Sequence, residues 1–288
     1  MKLKEFRAQF YDNLTGLYEK NEVDEFYYQL VQHSLQLKRH EIPLNLSYDI
    51  PKDKEFTLVN QINQLQDYTP IQYILGYTEF YGMEFLVNPN VLIPRPETEE
   101  LVEWILVDHS TVSSLKILDV GTGSGCIAIS LAKNLIDTDV EAIDISDGAL
   151  KLAKENANRN DSRVRFFHGD VLKLKESELF TKMADYDLIV SNPPYVRISE
   201  KLKMKSNVLD YEPHLALFVD DEDPLIFYRK ILEIAVDKLK TNGHIYFEIN
   251  EYLSQPLKKL LNEIGGFSWE FRKDFFGKSR MLKLTKFE

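Results

Sequence analysis

The chain has 288 residues, 44% of them hydrophobic, which is enough for one large domain or two of ordinary size. Its 46 acidic and 35 basic residues give a formal net charge of −11, so it has no general attraction for nucleic acid phosphates, although a local basic patch is not excluded. Cys126 is the one cysteine, and with six scattered histidines it provides neither a disulfide nor the spacing of a metal site, so we expect no metal.

The first 75 residues contain apolar side chains at three- and four-residue intervals, which predicts helices that each bury one face. Charged residues interrupt the N-terminal segment, so it lacks the apolar stretch of a signal peptide, and no later run reaches membrane-spanning length. We therefore expect a small helical domain over residues 1–75 of a cytoplasmic protein that does not bind a membrane. The predicted stripes are Leu3, Phe6, Phe10 and Leu14; Phe26, Tyr27, Leu30, Val31, Leu35 and Leu37; and Phe56, Leu58, Val59, Ile62 and Leu65.

The pattern changes after the helical segment. Phe80, Tyr81 and Phe85 are interspersed with Gly82, which predicts a β-hairpin linker over residues 76–93. Over residues 94–288, apolar strands alternate with amphipathic helices, as is typical of an α/β domain whose mainly parallel sheet is covered on both faces. Strands are predicted at 115–120, 140–143, 164–167, 187–190 and 245–249, and helices at 127–135, 148–158, 224–239 and 252–264.

Three alternate glycines follow the first strong strand, in the segment Asp119-Val120-Gly121-Thr122-Gly123-Ser124-Gly125. Glycine lets a ligand approach the backbone, and the N-terminus of the next helix offers free N–H donors, so the segment predicts a cofactor loop. Its spacing differs from the G-x-G-x-x-G of dinucleotide sites and disfavours NAD. Asp144 ends the next strand, where a carboxylate can accept hydrogen bonds from both ribose hydroxyls of an adenosine.

A second acid, Asp170, follows the third strand and is predicted to lie near an adenine amine, with Val171 against the ring face. An ordinary solvated loop residue is an equally good interpretation of Asp170. The candidate cofactor-binding residues are Asp119, Gly121, Thr122, Gly123, Ser124, Gly125, Asp144, Asp170, Val171 and Asn192.

The segment Asn192-Pro193-Pro194-Tyr195 follows the strand at 187–190, at the carboxyl edge where open α/β sheets bind ligands. Two prolines remove two backbone donors and fix φ, so the Pro193 carbonyl and the Asn192 side-chain oxygen can accept both hydrogens of a planar NH2 group. Tyr195 can cover the flat face of that group. With the glycine loop, this segment predicts methyl transfer from S-adenosylmethionine to an amide or amine nitrogen, with these four residues as catalytic candidates.

The sequence resembles the release factor glutamine N5-methyltransferases over nearly its whole length. Besides the glycine loop and the tetrapeptide, the segments that carry the resemblance are Pro70-Ile71-Gln72-Tyr73-Ile74-Leu75-Gly76, Phe80-Tyr81-Gly82, Val91-Leu92-Ile93-Pro94-Arg95-Pro96-Glu97-Thr98-Glu99, Tyr211-Glu212-Pro213, Ala216-Leu217, Gly277 and Arg280. The resemblance implies a helical N-terminal domain, a β-hairpin linker and a Rossmann-like seven-stranded methyltransferase domain. It also implies methylation of the glutamine in the Gly-Gly-Gln motif of peptide chain release factors.

Carried over by residue, the resemblance assigns Gly121 to Gly125, Asp144 and Val171 to S-adenosylmethionine, and Asn192 to Tyr195 to the substrate glutamine. Pro224 and Asn250 depart from residues that are frequent in the family, and neither is expected to touch the site. We expect release factors as partners, no direct DNA substrate, and a monomer.

Three other functions fit parts of the sequence. A nucleic acid adenine N6-methyltransferase would bind a similar NH2 group, but flipped-base recognition predicts a basic groove, and the cluster Lys201, Lys203 and Lys205 is short. A glutamine methyltransferase of a ribosomal protein is a closer alternative, which the N-terminal resemblance disfavours. A noncatalytic binding module has little support because the tetrapeptide is intact.

Overall fold

The computed structural model describes residues 1–287, without the side chain of Lys203. Glu288, the last residue of the predicted domain over 94–288, and the Lys203 side chain, part of the predicted basic cluster, lie outside the described residues. The chain divides into two compact units. The first comprises residues 1–76 and 205–211, and the second comprises residues 77–204 and the chain from 212 onward.

Helices and strands are numbered separately in chain order. The helices are α1 Leu3–Leu14, α2 Lys20–Leu35, α3 Lys52–Gln66, α4 Ile71–Leu75, α5 Pro96–His109, α6 Cys126–Asn134, α7 Asp147–Arg159, α8 Glu178–Lys182, α9 Ser206–Leu209, α10 His214–Leu217, α11 Ile226–Lys238 and α12 Ser254–Ile264. The strands are β1 Tyr77–Phe80, β2 Met83–Leu86, β3 Lys116–Val120, β4 Asp139–Asp144, β5 Val164–His168, β6 Tyr186–Ser191, β7 Val196–Arg197, β8 Phe218–Val219, β9 Leu239–Glu248, β10 Phe267–Lys273 and β11 Ser279–Lys286.

The first unit is helical and has its own hydrophobic core. All four residues of the first predicted stripe, from Leu3 to Leu14, lie on α1 and are fully buried. Tyr27 and Leu30 of α2 and Leu58 of α3 pack in the same core. The apolar spacing therefore predicted the buried face of α1 correctly, because a 3.6-residue period places such positions on one side. In the third stripe, Leu58, Ile62 and Leu65 are buried, but Phe56 is exposed, so its inclusion in the buried face was wrong. Within residues 1–287, no helix has the length and apolar character needed to cross a membrane.

The second unit contains the seven-stranded sheet that the resemblance implied, in the order β10-β11-β9-β6-β3-β4-β5. The five strands from β9 to β5 are parallel to one another, whereas β11 and β10 are antiparallel additions at one edge. Neighbouring residues of the central strands face opposite sides: Ile117 faces one hydrophobic cluster and Leu118 the other. The α/β fold class is confirmed.

Helices cover both faces of this sheet. On one face, α11 and α12 supply buried residues such as Tyr228 and Leu257. On the other, α5 and α6 pack together with Phe80 and Phe85 of the β1–β2 hairpin. Because both faces are covered, successive residues of the central strands are buried, as Ile117 and Leu118 of β3 are, and as residues 188–190 of β6 are. Short apolar runs in the sequence therefore marked these strands.

The strand order reverses direction beside β3. From β3 the chain continues outward to β4 and β5, and then returns to form β6 on the other side of β3. Open α/β sheets bind ligands in the crevice at the carboxyl ends of the strands at such a switch point. The glycine loop follows β3 and Asn192 follows β6, so both sequence motifs are located at this crevice.

Several elements differ from the sequence-based expectations. The residues of α5 were not predicted as a helix, although Pro96 at its start and acids in its first turn are helix-start signals. The β10–β11 pair was also not predicted. The strand expected at 245 begins at Leu239, and the helix expected at 224 begins at Ile226.

Candidate active site

A cavity of about 320 Å3 lies at the switch point of the sheet. Its walls come from the glycine loop, the ends of β4 and β6, the segment after β5, and the segment that leads into α5. This volume is within the range of small-molecule sites. The cavity therefore lies where the order of the strands predicts a ligand.

The glycine loop has the backbone conformation that its sequence requires. Gly121, Gly123 and Gly125 have φ values of +75°, +55° and +83°, in the left-handed region that glycine adopts without strain. The N–H groups of Gly121 and Thr122 donate to the carbonyl of Ile143 at 2.8 and 3.1 Å. These bonds anchor the loop after β3 to the end of β4.

Asp144 connects the end of β4 to the glycine loop. One carboxylate oxygen accepts from the Gly123 N–H at 2.8 Å and the other from the Ser146 N–H at 2.9 Å. Burial raises the pKa of Asp144, and these backbone donors oppose that rise. Since a carboxylate offers about four lone-pair positions, Asp144 keeps acceptor capacity for a ligand.

Asp119 is fully buried beneath the loop. Oδ2 accepts from the Thr122 hydroxyl at 2.6 Å, whereas Oδ1 has no hydrogen-bond partner among the described residues. Burial raises the pKa of Asp119 to about 7. A buried acceptor without a partner is costly, and it suits a ligand that brings a cationic or N–H donor. The chemistry of this site therefore fits S-adenosylmethionine, which carries an ammonium and a sulfonium charge.

Asp170 and Val171 line the same cavity after β5. One oxygen of Asp170 accepts from the Leu172 N–H at 2.9 Å, which closes a local turn. Val171 packs on the core cluster formed by β3, β6 and β9. Both residues are partly exposed, as residues at a cavity wall would be.

The carboxamide of Asn192 is held by a residue of α5. Its Nδ2 donates to Thr98 Oγ1 at 3.2 Å, and the Thr98 hydroxyl donates to Glu248 Oε2 at 2.6 Å. Ser191, one residue earlier, is buried and donates to the Val120 carbonyl at 2.6 Å. The start of the tetrapeptide is thus fixed to both β3 and α5.

Tyr195 lies behind the cavity wall instead of lining the cavity. Its hydroxyl donates to Glu248 Oε1 at 2.9 Å, and its ring packs on the core cluster. Burial raises the pKa of Tyr195 well above its ordinary value. The expectation that this ring covers the flat face of the substrate stays a prediction.

The structure brings most of the predicted site residues into one cavity. The residues that line it are Gly121, Thr122, Gly123, Ser124, Asp144, Asp170, Val171, Asn192, Pro193 and Pro194. Asp119 lies buried beneath the loop, Gly125 is the N-cap residue of α6, and Tyr195 packs behind the wall. Cys126 also lines the cavity, but burial raises the pKa of its thiol to about 12, so it remains a neutral apolar group.

Three buried polar residues near the cavity were not predicted from the sequence. Thr98 and Glu248 hold the tetrapeptide as described, and Asn156 on α7 holds the glycine loop. Asn156 Nδ2 donates to the carbonyls of Ser124 and Leu86 at 2.9 and 3.0 Å. No local pattern in the sequence identified the partners of these side chains.

One expectation about departures from the family was wrong. Asn250 was expected not to touch the site, but its Nδ2 donates to the Tyr195 carbonyl at 3.4 Å. Because Asn250 follows β9 closely and Tyr195 follows β6, these two parallel strands bring them together. Pro224 precedes α11 in a loop.

Arg95 and Glu212 form a second polar feature of the wall. Glu212 is almost fully buried, pairs with the Arg95 guanidinium, and accepts from the Ile93 N–H at 3.2 Å. Burial raises the pKa of Glu212, and the charge of Arg95 opposes that rise. The pair holds the segment before α5 against the segment before α10. Within the described residues, no group of three His, Cys, Asp or Glu side chains is arranged to hold a metal ion.

The chain is similar to known methyltransferases in sequence and in fold. The family model called Methyltransferase small domain matches residues 99–210. The release factor glutamine methyltransferase of Flavobacterium psychrophilum is 46% identical over 99% of both chains, and that of Streptococcus pneumoniae is 41% identical over 98% of both. A methyltransferase from Pyrococcus furiosus superposes with a TM-score of 0.51, covering 83% of this chain and 100% of that one at 19% identity, which shows a likeness of fold.

The fold, the cavity and the family model define this chain as an S-adenosylmethionine-dependent methyltransferase. The identity with curated relatives is high and extends over the whole chain, which narrows the class further. The chain belongs to the release factor glutamine methyltransferase family. The predictions of the family, the enzyme class and the methyl donor are confirmed.

Proposed function

We propose that this chain transfers the methyl group of S-adenosylmethionine to the side-chain amide nitrogen, N5, of the glutamine in the Gly-Gly-Gln motif of peptide chain release factors. One observation carries the proposal: an oriented carboxamide, Asn192, lies at a cavity whose other end is a glycine loop, in a chain that is 46% identical to a relative named for this activity.

Asn192 and Pro193 account for the chemistry of the acceptor. An amide nitrogen is a poor nucleophile because its lone pair is delocalised into the carbonyl, so the site must position it well. The Asn192 side-chain oxygen and the Pro193 carbonyl can accept its two hydrogens. These contacts strengthen as the nitrogen gains positive character in the transition state.

The glycine loop, Asp144 and Asp119 would hold the methyl donor. When bound, S-adenosylmethionine supplies a sulfonium methyl group that a nitrogen lone pair can attack. Asp144 has lone pairs left for ribose hydroxyls. Asp119 is buried beneath the loop and holds the hydroxyl of Thr122, which lines the cavity, so it is assigned to the amino acid part. Asp170 and Val171 are assigned to the adenine end, because they line the cavity beyond β5.

We assign recognition of the release factor to the helical domain. The proposed boundaries are residues 1–75 for this domain, 76–93 for the linker and 94–288 for the methyltransferase domain. Support comes from large apolar residues exposed on the first unit, where Leu44 is 81% and Phe56 is 79% exposed. A separate surface can provide specificity that one glutamine side chain cannot. A monomeric state and a cytoplasmic location belong to the same proposal.

The direct test is methyl transfer from labelled S-adenosylmethionine. Purified protein should label a release factor, and a release factor whose Gly-Gly-Gln glutamine is replaced by alanine should take up no label. Duplex and single-stranded DNA serve as the competing substrates. Labelling of DNA without labelling of the release factor would contradict the amide assignment and favour an adenine acceptor.

A second test separates the two halves of the site. Asn192→Ala removes an acceptor assigned to the transition state, so kcat should fall roughly 10²- to 10³-fold. The dissociation constant of S-adenosylmethionine, measured by calorimetry, should change much less. An equal loss of turnover and cofactor affinity would contradict this division of roles.

A further inference from the structure

Glu248 is a carboxylate whose position needs an explanation. It is 1% exposed, although burial of a charged group is costly. Burial raises the pKa of Glu248, and the hydroxyls of Thr98 and Tyr195 and the charge of Arg280 oppose that rise. Its backbone is also fixed, since Tyr228 donates its hydroxyl to the Glu248 carbonyl at 3.0 Å. Such a residue is retained at a cost in stability, so it is expected to serve the site.

The sheet brings Glu248 next to the tetrapeptide. Strands β6 and β9 are parallel, and Ser191 pairs with Phe247, so Asn192 and Glu248 are the next residues on neighbouring strands. Thr98, in the first turn of α5, completes the group by contacting both of them. Three elements that are distant in sequence therefore meet at the Asn192 side chain.

The direction of each hydrogen bond follows from the chemistry of the groups. Both carboxyl oxygens of Glu248 accept hydroxyl hydrogens, one from Thr98 and one from Tyr195, so the single hydrogen of the Thr98 hydroxyl is given to Glu248. Thr98 Oγ1 can then only accept from Asn192, which selects Nδ2 for this contact. Asn192 Oδ1 is left as the acceptor for a ligand in the cavity. The network thus decides which end of a nearly symmetrical carboxamide faces the substrate.

We propose that Thr98, with its hydroxyl directed by Glu248, is a positioning residue that holds the Asn192 carboxamide with its oxygen toward the substrate NH2 group. This inference rests on the proposed function and extends it to Thr98, which lines the cavity, and to Glu248, which lies behind it. If the carboxamide rotates by half a turn, its NH2 group meets the NH2 group of the substrate, and the site loses its acceptor.

The kinetic test compares two substitutions of Thr98. Thr98→Val keeps the shape of the side chain but removes the hydroxyl, whereas Thr98→Ser keeps the hydroxyl. We expect Thr98→Val to lower kcat on the release factor roughly 10- to 100-fold, with the dissociation constant of S-adenosylmethionine within threefold of wild type. Thr98→Ser should restore kcat to within about threefold. A Thr98→Val rate within twofold of wild type, or equal losses in the two variants, would overturn the proposal.

Thr138→Val is the matched control. Thr138 lies just before β4, at the amino end of that strand, whereas the cavity lies at the carboxyl ends of the strands. Its buried hydroxyl has no partner among residues 1–287. Loss of this hydroxyl should leave kcat unchanged. If Thr138→Val slows the reaction as much as Thr98→Val does, the effect is general to removal of a buried hydroxyl, and the positioning role is wrong.

A second measurement is independent of the substrate. The side-chain NH2 signals of Asn192 can be identified in 15N-labelled protein by their loss in Asn192→Ala. Their hydrogen exchange should be slow in wild type and Thr98→Ser and faster in Thr98→Val. Unchanged exchange in Thr98→Val would reject the inference even if the release factor is the substrate. A wild-type chain that fails to methylate the release factor would instead reject the proposed function, while the exchange result still decides the role of Thr98.

Discussion

Asp119, which we propose as a cofactor-binding residue, carries a cost to the folded chain because it is a buried carboxyl group. Its folded-state pKa of about 7 lies well above the value near 3.9 expected in the unfolded chain. Between these two values, the folded chain binds a proton that the unfolded chain releases. The free energy of unfolding contributed by Asp119 therefore falls as the pH rises from about 4 to about 7. Without a bound ligand, the residue destabilises the protein at neutral pH.

Asp119→Asn should remove this dependence. The stability of wild type relative to the variant should fall by on the order of 3 kcal/mol between pH 4 and pH 7. At the same time, affinity for S-adenosylmethionine should fall at least about tenfold, because an amide attracts a cation less than a carboxylate does. Denaturant unfolding at several pH values, together with calorimetry, measures both effects. A difference in stability that does not vary with pH would show that the buried carboxyl does not titrate in this range.

At the scale of residues, sequence reasoning found the groups that lie within one short segment. The glycine loop and the tetrapeptide each contain their own signal, since spacing and composition are local. Thr98 and Glu248 form a hydrogen bond across 150 positions, so their relation exists only in the folded sheet. The same holds for Asn156, whose contact with Leu86 spans 70 positions.

At the scale of elements, the packing of α6 against α7 depends on Gly125. A Cβ atom at this position would lie 3.0 Å from Ile129 Cδ1 and 3.2 Å from Ala153 Cβ, in addition to the strain of φ at +83°. Gly82, in the β1–β2 turn, has φ at +69° but has no atom within 4 Å of such a Cβ. A side chain at Gly125 would therefore meet both backbone strain and close packing, whereas a side chain at Gly82 would meet backbone strain alone.

Gly125→Ala should weaken cofactor binding roughly tenfold or more, because α6 must shift away from α7 and carry the glycine loop with it. Gly82→Ala should leave cofactor affinity unchanged. Each substitution should cost about 1–2 kcal/mol of stability from strain alone, with a larger loss for Gly125. Calorimetry and denaturant unfolding of both variants test this expectation. Equal cofactor affinities in the two variants would contradict the role of close packing.

The elements that could be predicted were those with strong periodicity. Central strands buried on both faces appear as apolar runs, and the helices of the first unit as stripes. Strands β10 and β11 form the antiparallel edge of the sheet, where charged residues that are exposed on β10 and half-buried on β11 interrupt the pattern. Helix α5 was not predicted, although Pro96 begins the helix and acids occupy its first turn.

At the scale of the whole molecule, the chain consists of two units with separate cores. Residues 205–211 belong to the first unit although their chain neighbours belong to the second. Tyr211 illustrates this arrangement, since its hydroxyl donates to the Asp67 carbonyl at 2.6 Å across 144 positions. The sequence does not indicate that residues 205–211 belong to the first unit. Their one helix, α9, is a single short turn, which is too short to produce a recognisable pattern.

Because the residues proposed to bind the cofactor all lie in the second unit, the cofactor should stabilise that unit selectively. At 100 times its dissociation constant, a ligand adds about 2.7 kcal/mol, which corresponds to roughly 100-fold slower hydrogen exchange at amides that open by unfolding. Peptides from β3, β4 and β6 should show this slowing by mass spectrometry, whereas peptides from residues 1–76 should change less than about twofold. Peptides covering 205–211 should follow residues 1–76 and not their chain neighbours. Equal slowing in α1 and β3 would show that the two cores unfold as one, because stabilisation of one unit would then protect every amide of the chain.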